Sequence, residues 1–299
     1  MTKRKTQPHH ARFRSDLEFL DKVEKLCRDA SAGVALALEA LPTRAEREPR
    51  VGVGEGGDET TAVDAAAERA VVERLEVLHD EGVGFTLVSE ELGERVYGDG
   101  TSPLRIVVDP IDGSVNAKRT IPFFSLSVAV ADGRAMDDVF FGYVYDFGSG
   151  EEWTAIRGEG ARLDGRPLEG PGPKEEIELL AFEATRTDLV AETVAEFVGL
   201  AERVRIMGSL ALCLCHLAAG RFDAAVSLKP IRSVDIAAAQ LLVRERGLAV
   251  DLPEDQPFGA ALLDLASRSR VVAARTPERC AELYTALRAS LPVERSMRP

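Results

Sequence analysis

Several kinds of residue are scarce in this chain of 299 residues. It has four cysteines, four histidines and one tryptophan, and aromatic residues make up 6% of it. The cysteines lack zinc-ribbon spacing, and a chain of this length does not need disulfide staples. Because only His79 and His216 lie outside the first 15 residues, we expect any catalysis to depend on other groups. Few aromatic residues also argue against a purine-stacking pocket.

Long apolar runs are absent as well, which excludes a membrane-spanning helix and a secretory signal. We therefore expect a cytoplasmic protein that does not bind membranes. The net charge is −13, whereas residues 1–15 contain five basic residues and no acid. The acidic body should repel nucleic acid. We interpret residues 1–15 as a flexible basic leader, although such an arm could touch an anionic partner.

The hydrophobic pattern predicts an α/β protein in two halves. Residues 16–150 form the N-terminal half and residues 151–299 the C-terminal half. Between the predicted helices 16–41 and 62–79, the charged, glycine-rich residues 43–61 indicate an exposed mobile loop. The second half alternates, which predicts helices packed on a sheet. Its predicted strands are 178–184, 203–206, 222–228 and 269–274, and its predicted helices are 188–200, 208–219, 234–246 and 276–290.

Two patterns imitate known sites. Gly52, Gly54 and Gly57 match a dinucleotide-binding turn, but that pattern has physical meaning only after a buried strand, and the preceding segment is PTRAEREPR. Cys213, Cys215 and His216 suggest a metal site. Residues two apart on a helix point to different faces, so we favour a buried apolar helix there. The first pattern needs only glycine's conformational freedom in a loop.

The segment RIVVDPIDGSVN ends a buried strand, 105–109, in two carboxylates. Asp109 and Asp112 would repel each other and lose hydration, so a cation should compensate them. Mg²⁺ suits oxygen ligands, and an arginine, Arg105 or Arg119, is the structural alternative. Next, Gly113 and Ser114 turn the chain into a predicted short helix, 113–118, whose free N–H groups favour an anion. The segment therefore predicts a site for one phosphoryl group.

More acids occupy comparable positions. Glu90 and Glu91 end the strand FTLVSEE, so neighbouring strands would bring them to the same sheet edge as Asp109. Asp235 follows Ser233, a natural N-cap, and Asp64 opens the helix after DETTAV. Either aspartate could simply cap its helix.

In chain order, the segments DETTAVD, VSEELGE, DPIDGSVN, RIMGSLAL and SVDIAAA closely resemble the inositol monophosphatase family of Mg²⁺-dependent, lithium-sensitive phosphatases. The resemblance covers roughly residues 20 to 290. It implies the sugar phosphatase fold, a layered αβαβα sandwich with the active site between the halves, and a homodimer. KPIRSVDIAA is most similar to a prokaryotic branch acting on both fructose 1,6-bisphosphate and inositol 1-phosphate.

The resemblance also implies a set of metal ligands. Glu90, Asp109 and the carbonyl of Ile111 would bind one Mg²⁺, and Asp109, Asp112 and Asp235 a second. A third, weaker ion would lie near Glu90 and the mobile loop, and Li⁺ is an expected inhibitor. One metal would activate a water while the other neutralises the phosphate and the leaving alkoxide.

Catalytic and phosphate-binding roles follow in the same way. Asp64 and the Ser114 hydroxyl would orient the attacking water near Glu90, and the N–H groups of Gly113 and Ser114 would bind the phosphate. Leu228 stands where inositol-specific members have a glutamate that binds sugar hydroxyls, so that contact is absent. The expected substrate contacts are Arg186, Arg205, Gly208, Ser209, Lys229 and Arg232. Arg205 could equally be structural, and the last two residues could meet a second phosphate or lie on a solvated loop.

We therefore predict Mg²⁺-dependent hydrolysis of small sugar or polyol phosphates, with inositol 1-phosphate and fructose 1,6-bisphosphate as the leading substrates. A 3′-phosphoadenosine 5′-phosphate phosphatase, which shares the metal motifs, is the alternative enzyme. A phosphometabolite-binding regulatory relative is the alternative outside catalysis, although the intact carboxylates argue against it.

Overall fold

The computed structural model describes residues 13, 16–55, 57, 59–170, 172–183, 186–255 and 257–290. Apart from Phe13, the predicted basic leader lies outside the described residues.

The α-helices are α1 (Leu17–Glu39), α2 (Arg44–Arg47), α3 (Ala62–Asp80), α4 (Ser114–Lys118), α5 (Thr187–Thr193), α6 (Leu210–Ala218), α7 (Ala239–Glu245) and α8 (Pro277–Ser290). The strands are β1 (Arg50–Val53), β2 (Glu59–Thr61), β3 (Phe85–Ser89), β4 (Gly93–Tyr97), β5 (Arg105–Asp112), β6 (Ser125–Ala131), β7 (Val139–Asp146), β8 (Glu152–Ile156), β9 (Gly160–Leu163), β10 (Arg166–Pro167), β11 (Ile177–Glu183), β12 (Ala201–Arg205), β13 (Ala224–Ser227), β14 (Ala249–Asp251) and β15 (Val272–Ala274). Short 3₁₀ helices span Met136–Asp138, Val194–Phe197, Ser233–Asp235 and Phe258–Ala260.

Two mixed sheets organise the molecule. The first has the order β10-β9-β8-β7-β6-β5-β3-β4 and the second the order β12-β11-β13-β15-β14. In the first sheet β3 and β5 are parallel neighbours, with Ser89 opposite Val108, so both strands end at the same edge. In the second sheet β11 runs parallel to β12 and to β13. Parallel neighbours of this kind place the residues that follow them side by side.

The layers follow from which helix faces are apolar. On α1 the buried positions Val23, Cys27, Ala30, Val34 and Leu38 recur every three or four residues, and this stripe packs against α3 and the first sheet. Helices α6 and α7 lie between the two sheets, and α8 covers the outer face of the second sheet. This order gives the layers α, β, α, β, α, so the predicted αβαβα sandwich is confirmed.

The central helix α6 is apolar on every side because it lies between two sheets. Its residues Leu210 to Cys215 are all buried, and they share one core with Trp153 of the first sheet and Ala225 of the second. A helix that is hydrophobic all round is the expected sequence for such a layer. None of the described helices is both long and apolar enough to cross a membrane.

Several element predictions need correction. Residues 43–61, which we predicted as a loop, contain α2 and the antiparallel pair β1–β2. The predicted helix 188–200 stops being α-helical at Thr193, and helix 234–246 begins only at Ala239, after a 3₁₀ turn. Strands β8 to β10 continue the first sheet as far as Pro167, so the chain changes sheet later than residue 150.

Candidate active site

Three carboxylates from distant parts of the chain meet at the edge where β3 and β5 end. Glu90 follows β3, Asp109 lies near the end of β5, and Asp235 closes the 3₁₀ turn Ser233–Asp235 of the C-terminal half. One oxygen from each of them lies within 4.8 Å of the others. Among the Asp, Glu, His and Cys side chains of the described residues, these three have ligand atoms close enough together to hold a metal ion.

Burial makes this group electrostatically unfavourable without a cation. Asp109 is 3% exposed, and burial, followed by the charges of Glu90, Asp112 and Asp235, raises its pKa well above the ordinary range. Burial also raises the pKa of Asp112 and of Asp235. Because nearby carboxylates in a low-dielectric site disfavour one another's ionised form, a bound cation would relieve the strain.

Asp112 links the two halves of the protein. Its Oδ2 accepts hydrogen bonds from Ser209 Oγ at 2.5 Å and from the backbone N–H of Ala211 at 2.7 Å. Ser209 is itself the N-cap of α6, since its hydroxyl oxygen accepts from Leu212 N. The carboxylate therefore lies at the positive end of the central helix, which stabilises its charge.

An arginine does reach the carboxylates, but it is neither of the two that we named. Arg105 is buried against Glu94, with both guanidinium contacts at 3.0 Å, and Arg119 is exposed. Instead, the guanidinium of Arg232 pairs with Glu90, and its backbone N–H donates to Asp235 Oδ2 at 2.8 Å. Tertiary folding alone brings this pair together, because the two residues are 142 positions apart.

Asp64 and Ser114 contact groups within their own segments. Asp64 Oδ2 accepts hydrogen bonds from the N–H and the hydroxyl of Thr61, which is the helix-capping role that the sequence allowed. Its other oxygen, Oδ1, is buried and has no hydrogen-bond partner among the described residues. Ser114 Oγ donates to the carbonyl of Ile111 at 3.1 Å. The unpaired Asp64 oxygen is the observation that calls for a further group, because buried polar atoms are normally paired.

Gly113 occupies a position that no other residue fits easily. Its φ is 98°, and a Cβ there would lie 3.0 Å from the carbonyl oxygen of Gly208 and 3.1 Å from Phe124 Cβ. The adjacent Asn116 side chain donates to the carbonyls of Phe123 and Met207. The DPIDGS and RIMGS segments are therefore in direct contact, as a site built between the halves requires.

The β1–β2 hairpin contacts the acid beside the group. The hydroxyl of Thr60 donates to Glu91, and Glu55 N donates to the carbonyl of Glu91 at 3.1 Å. Gly54 packs so closely that a Cβ there would lie 2.7 Å from Glu91 Oε2. In the described residues β1 is followed by its antiparallel partner β2 and not by a helix, so Gly52, Gly54 and Gly57 belong to a hairpin, unlike the glycines of a dinucleotide-binding turn.

The remaining predicted substrate contacts differ in position. Arg186 is exposed and pairs with Asp188, and Arg205 is exposed beside the Val204 carbonyl. Gly208 N donates to Glu183 Oε1 at 3.3 Å, whereas Ser209 is fully buried and bonded to Asp112. Lys229 is exposed on the segment that leads to Arg232.

The cysteine-containing helix α6 belongs to the apolar core. Cys213 and Cys215 are buried on α6, as the apolar-helix interpretation predicts, and neither belongs to the ion-spaced group. Cys213 Sγ donates to Glu183 Oε1 at 3.0 Å. His216 stacks on Phe123 and meets the edge of Trp153, so it belongs to the core between the halves.

Sequence reasoning missed two buried acids beside the site, Glu183, which accepts from Gly208 N, and Glu68. Glu68 lies one helical turn after Asp64 on α3 and is 5% exposed. Both of its carboxylate oxygens accept from the hydroxyl of Ser89, the residue before Glu90. Burial raises the pKa of Glu68 to about 7, against an ordinary value of 4.5. The spacing of four residues from Asp64 was the available signal, since it places both acids on one helix face.

The site residues fit a hard divalent cation. Glu90, Asp109 and Asp235 offer carboxylate oxygens alone, which are the donors that Mg²⁺ prefers. The partnerless Asp64 Oδ1 is consistent with an additional polar group between α3 and this cluster.

The chain is similar to proteins of one family along most of its length. The model of the inositol monophosphatase family matches residues 18–291. A protein of Methanothermobacter thermautotrophicus named fructose-1,6-bisphosphatase/inositol-1-monophosphatase is 35% identical, covering 74% of this chain and 81% of that protein. One of the same name from Archaeoglobus fulgidus is 32% identical, covering 84% of this chain and 92% of that protein. A solved inositol monophosphatase–fructose 1,6-bisphosphatase superposes with a TM-score of 0.74 at 26% identity, covering 88% of this chain and 98% of that chain.

Proposed function

This chain belongs to the inositol monophosphatase family, and from that membership we propose that it hydrolyses inositol 1-phosphate and fructose 1,6-bisphosphate with bound Mg²⁺. One observation carries the proposal: Glu90, Asp109 and Asp235 converge from both halves of the chain, with ligand atoms within 4.8 Å of one another. The names of the two archaeal relatives support the choice of substrates.

We assign the surrounding residues the roles that the family implies for their positions, and their contacts serve as support. Glu90, Asp109, Asp112, Asp235 and the carbonyl of Ile111 would hold Mg²⁺. When bound, the ion supplies positive charge that stabilises the phosphate and favours ionisation of the attacking water. Asp112 is already oriented by Ser209 and by the start of α6, which stabilises its ionised form.

The water-orienting and substrate-binding roles belong to a second set. Asp64 Oδ1, with the Ser114 hydroxyl, would orient the water, because Oδ2 is held by Thr61 and leaves Oδ1 for a further partner. The N–H groups of Gly113 and Ser114 would bind the phosphate. On the substrate side we favour Lys229 and Arg232, since Ser209 is fully buried and Arg186 pairs with Asp188.

The deciding experiment measures inorganic phosphate released from fructose 1,6-bisphosphate, inositol 1-phosphate and 3′-phosphoadenosine 5′-phosphate, each with Mg²⁺ and with excess chelator. We expect Mg²⁺-dependent release from the first two and its loss in Asp109→Asn. Asp99→Asn, the same change at an exposed surface residue, is the matched control. Release from the nucleotide alone would refute the substrate assignment, and ligand binding without turnover would favour a regulatory protein.

Finer properties are part of the same proposal. We propose two or three Mg²⁺ ions per chain, inhibition by Li⁺, a homodimer, and activity in the cytoplasm. Light scattering coupled to size exclusion measures the assembly, and phosphate release at increasing Li⁺ measures the inhibition. A monomer, or activity unchanged by Li⁺, would contradict the corresponding point.

A further inference from the structure

Arg232 has a position that the phosphatase chemistry does not itself require. It lies between β13 and the 3₁₀ turn Ser233–Asp235 in the C-terminal half, and its guanidinium crosses to Glu90 in the N-terminal half. The side chains are only 12% and 17% exposed, so the pair is largely withdrawn from water. The Arg232 N–H also holds Asp235, so one residue binds two members of the three-carboxylate group.

The Arg232–Glu90 ion pair places a positive charge next to the three carboxylates. Three carboxylates with ligand atoms within 4.8 Å of one another repel strongly when they are partly buried. A guanidinium is the one cationic side chain that stays charged in such a site. In the structure it is paired with Glu90, so part of the negative charge is already neutralised by the protein itself.

A divalent ion and this guanidinium are competitors for the same carboxylate. Like charges that share one partly buried anion repel, so binding of Mg²⁺ at Glu90 weakens the hold on Arg232. The guanidinium, no longer held by Glu90, would then offer a planar fork of donors that suits a phosphate group.

We propose that Arg232 is an internal counter-cation that holds the metal-free carboxylates together, competes with Mg²⁺ for Glu90, and on metal loading is released to bind an anionic group of the substrate. The last step rests on the proposed function, and the anionic group that we assign is the second phosphate of a sugar bisphosphate. The first two steps concern metal binding alone.

Calorimetric titration of chelator-stripped protein with MgCl₂, without substrate, tests the competition. We expect Arg232→Gln to bind Mg²⁺ about three- to tenfold more tightly than the wild type, because the competing charge is gone. Arg268→Gln is the matched control, since Arg268 is exposed, donates to the carbonyls of Leu265 and Ser267, and acts on Asp235 only through its charge. That control should change the Mg²⁺ affinity by less than about twofold.

Equal or weaker Mg²⁺ binding in Arg232→Gln would overturn the proposal, because it would make the arginine a support of the metal site. Equal tightening in both variants would overturn it too, since the effect would then be long-range charge. If Arg232→Gln does not fold without metal, Arg232→Lys, which keeps the charge but loses the fork, should bind Mg²⁺ with an intermediate affinity.

The substrate step has its own readout. In Mg²⁺-saturated enzyme, Arg232→Gln should raise KM for fructose 1,6-bisphosphate about tenfold and KM for inositol 1-phosphate by less than about twofold. Equal changes in KM for both esters would refute the assignment to the second phosphate. A wild type that hydrolyses neither ester would refute the proposed function, while the Mg²⁺ titration would still decide the competition.

Discussion

The buried carboxyl of Glu68 should make the stability of this protein fall as the pH rises. Burial raises its pKa to about 7 in the folded chain, against 4.5 for an ordinary glutamate, and the hydroxyl of Ser89 only partly offsets that rise. Below pH 4.5 the group is protonated in both states, so its contribution to stability is fully present. Between pH 4.5 and 7 the unfolded chain loses the proton while the folded chain keeps it, and the contribution is lost as the pH passes through 7.

The size of the effect follows from the same two values. A pKa difference of about 2.5 corresponds to at most about 3 kcal/mol, at 1.36 kcal/mol for each pKa unit. Glu68→Gln keeps the shape of the side chain and an acceptor for Ser89, but it cannot titrate. The variant should therefore gain up to about 3 kcal/mol relative to the wild type between pH 5 and pH 8.

Urea unfolding in chelator at pH 5, 6, 7 and 8 measures this difference. The single tryptophan, Trp153, is fully buried and reports the transition by its fluorescence. Glu73→Gln, the same change at an exposed position of α3, is the control. Its free energy of unfolding should change with pH in the same way as that of the wild type. If the free energy of unfolding of Glu68→Gln also changes with pH as that of the wild type does, the buried Glu68 carboxyl does not titrate as argued.

Two further predictions concern the site and its border. Asp64→Asn should lower kcat at least about 100-fold, because Oδ1 loses its charge. Its free energy of unfolding in chelator should stay within about 1 kcal/mol of the wild type, because the hydrogen bond to Thr61 is kept. Near-normal turnover would show that Asp64 takes no part in the chemistry. Leu228→Glu should lower the free energy of unfolding by about 3 kcal/mol or more, because Leu228 is 1% exposed in the core with Leu180 and Phe182. Leu228→Met should cost less than about 1.5 kcal/mol, and a stable glutamate variant with a new preference for inositol 1-phosphate would contradict this placement.

Much of the architecture was predictable because it depends on local patterns. The apolar stripes of α1 and α3, the alternation of strands and helices in the second half, and the apolar residues of α6 are all visible within short windows. The structure of segment 43–61 was not predictable, because β1 and β2 pair as a hairpin that is held by Glu91, a residue 30 positions beyond its last strand. A window of the sequence contains no information about such a contact.

In the candidate site, too, some features were predictable from local sequence and others were not. The sequence by itself determined that Glu90 and Asp109 stand near strand ends and that Asp64 lies in the first turn of a helix, because each segment carries its own local signal. Asp235 was placed in the right segment, but it ends a 3₁₀ turn and does not begin a helix. Apart from the local cap between Asp64 and Thr61, only the tertiary structure decided what each acid touches. Arg105, close in sequence to Asp109, turned out to pair with Glu94, while Arg232 pairs with Glu90 across 142 positions. The physical reason is that charge pairing depends on distance in space, and the packing of two sheets around α6 sets that distance.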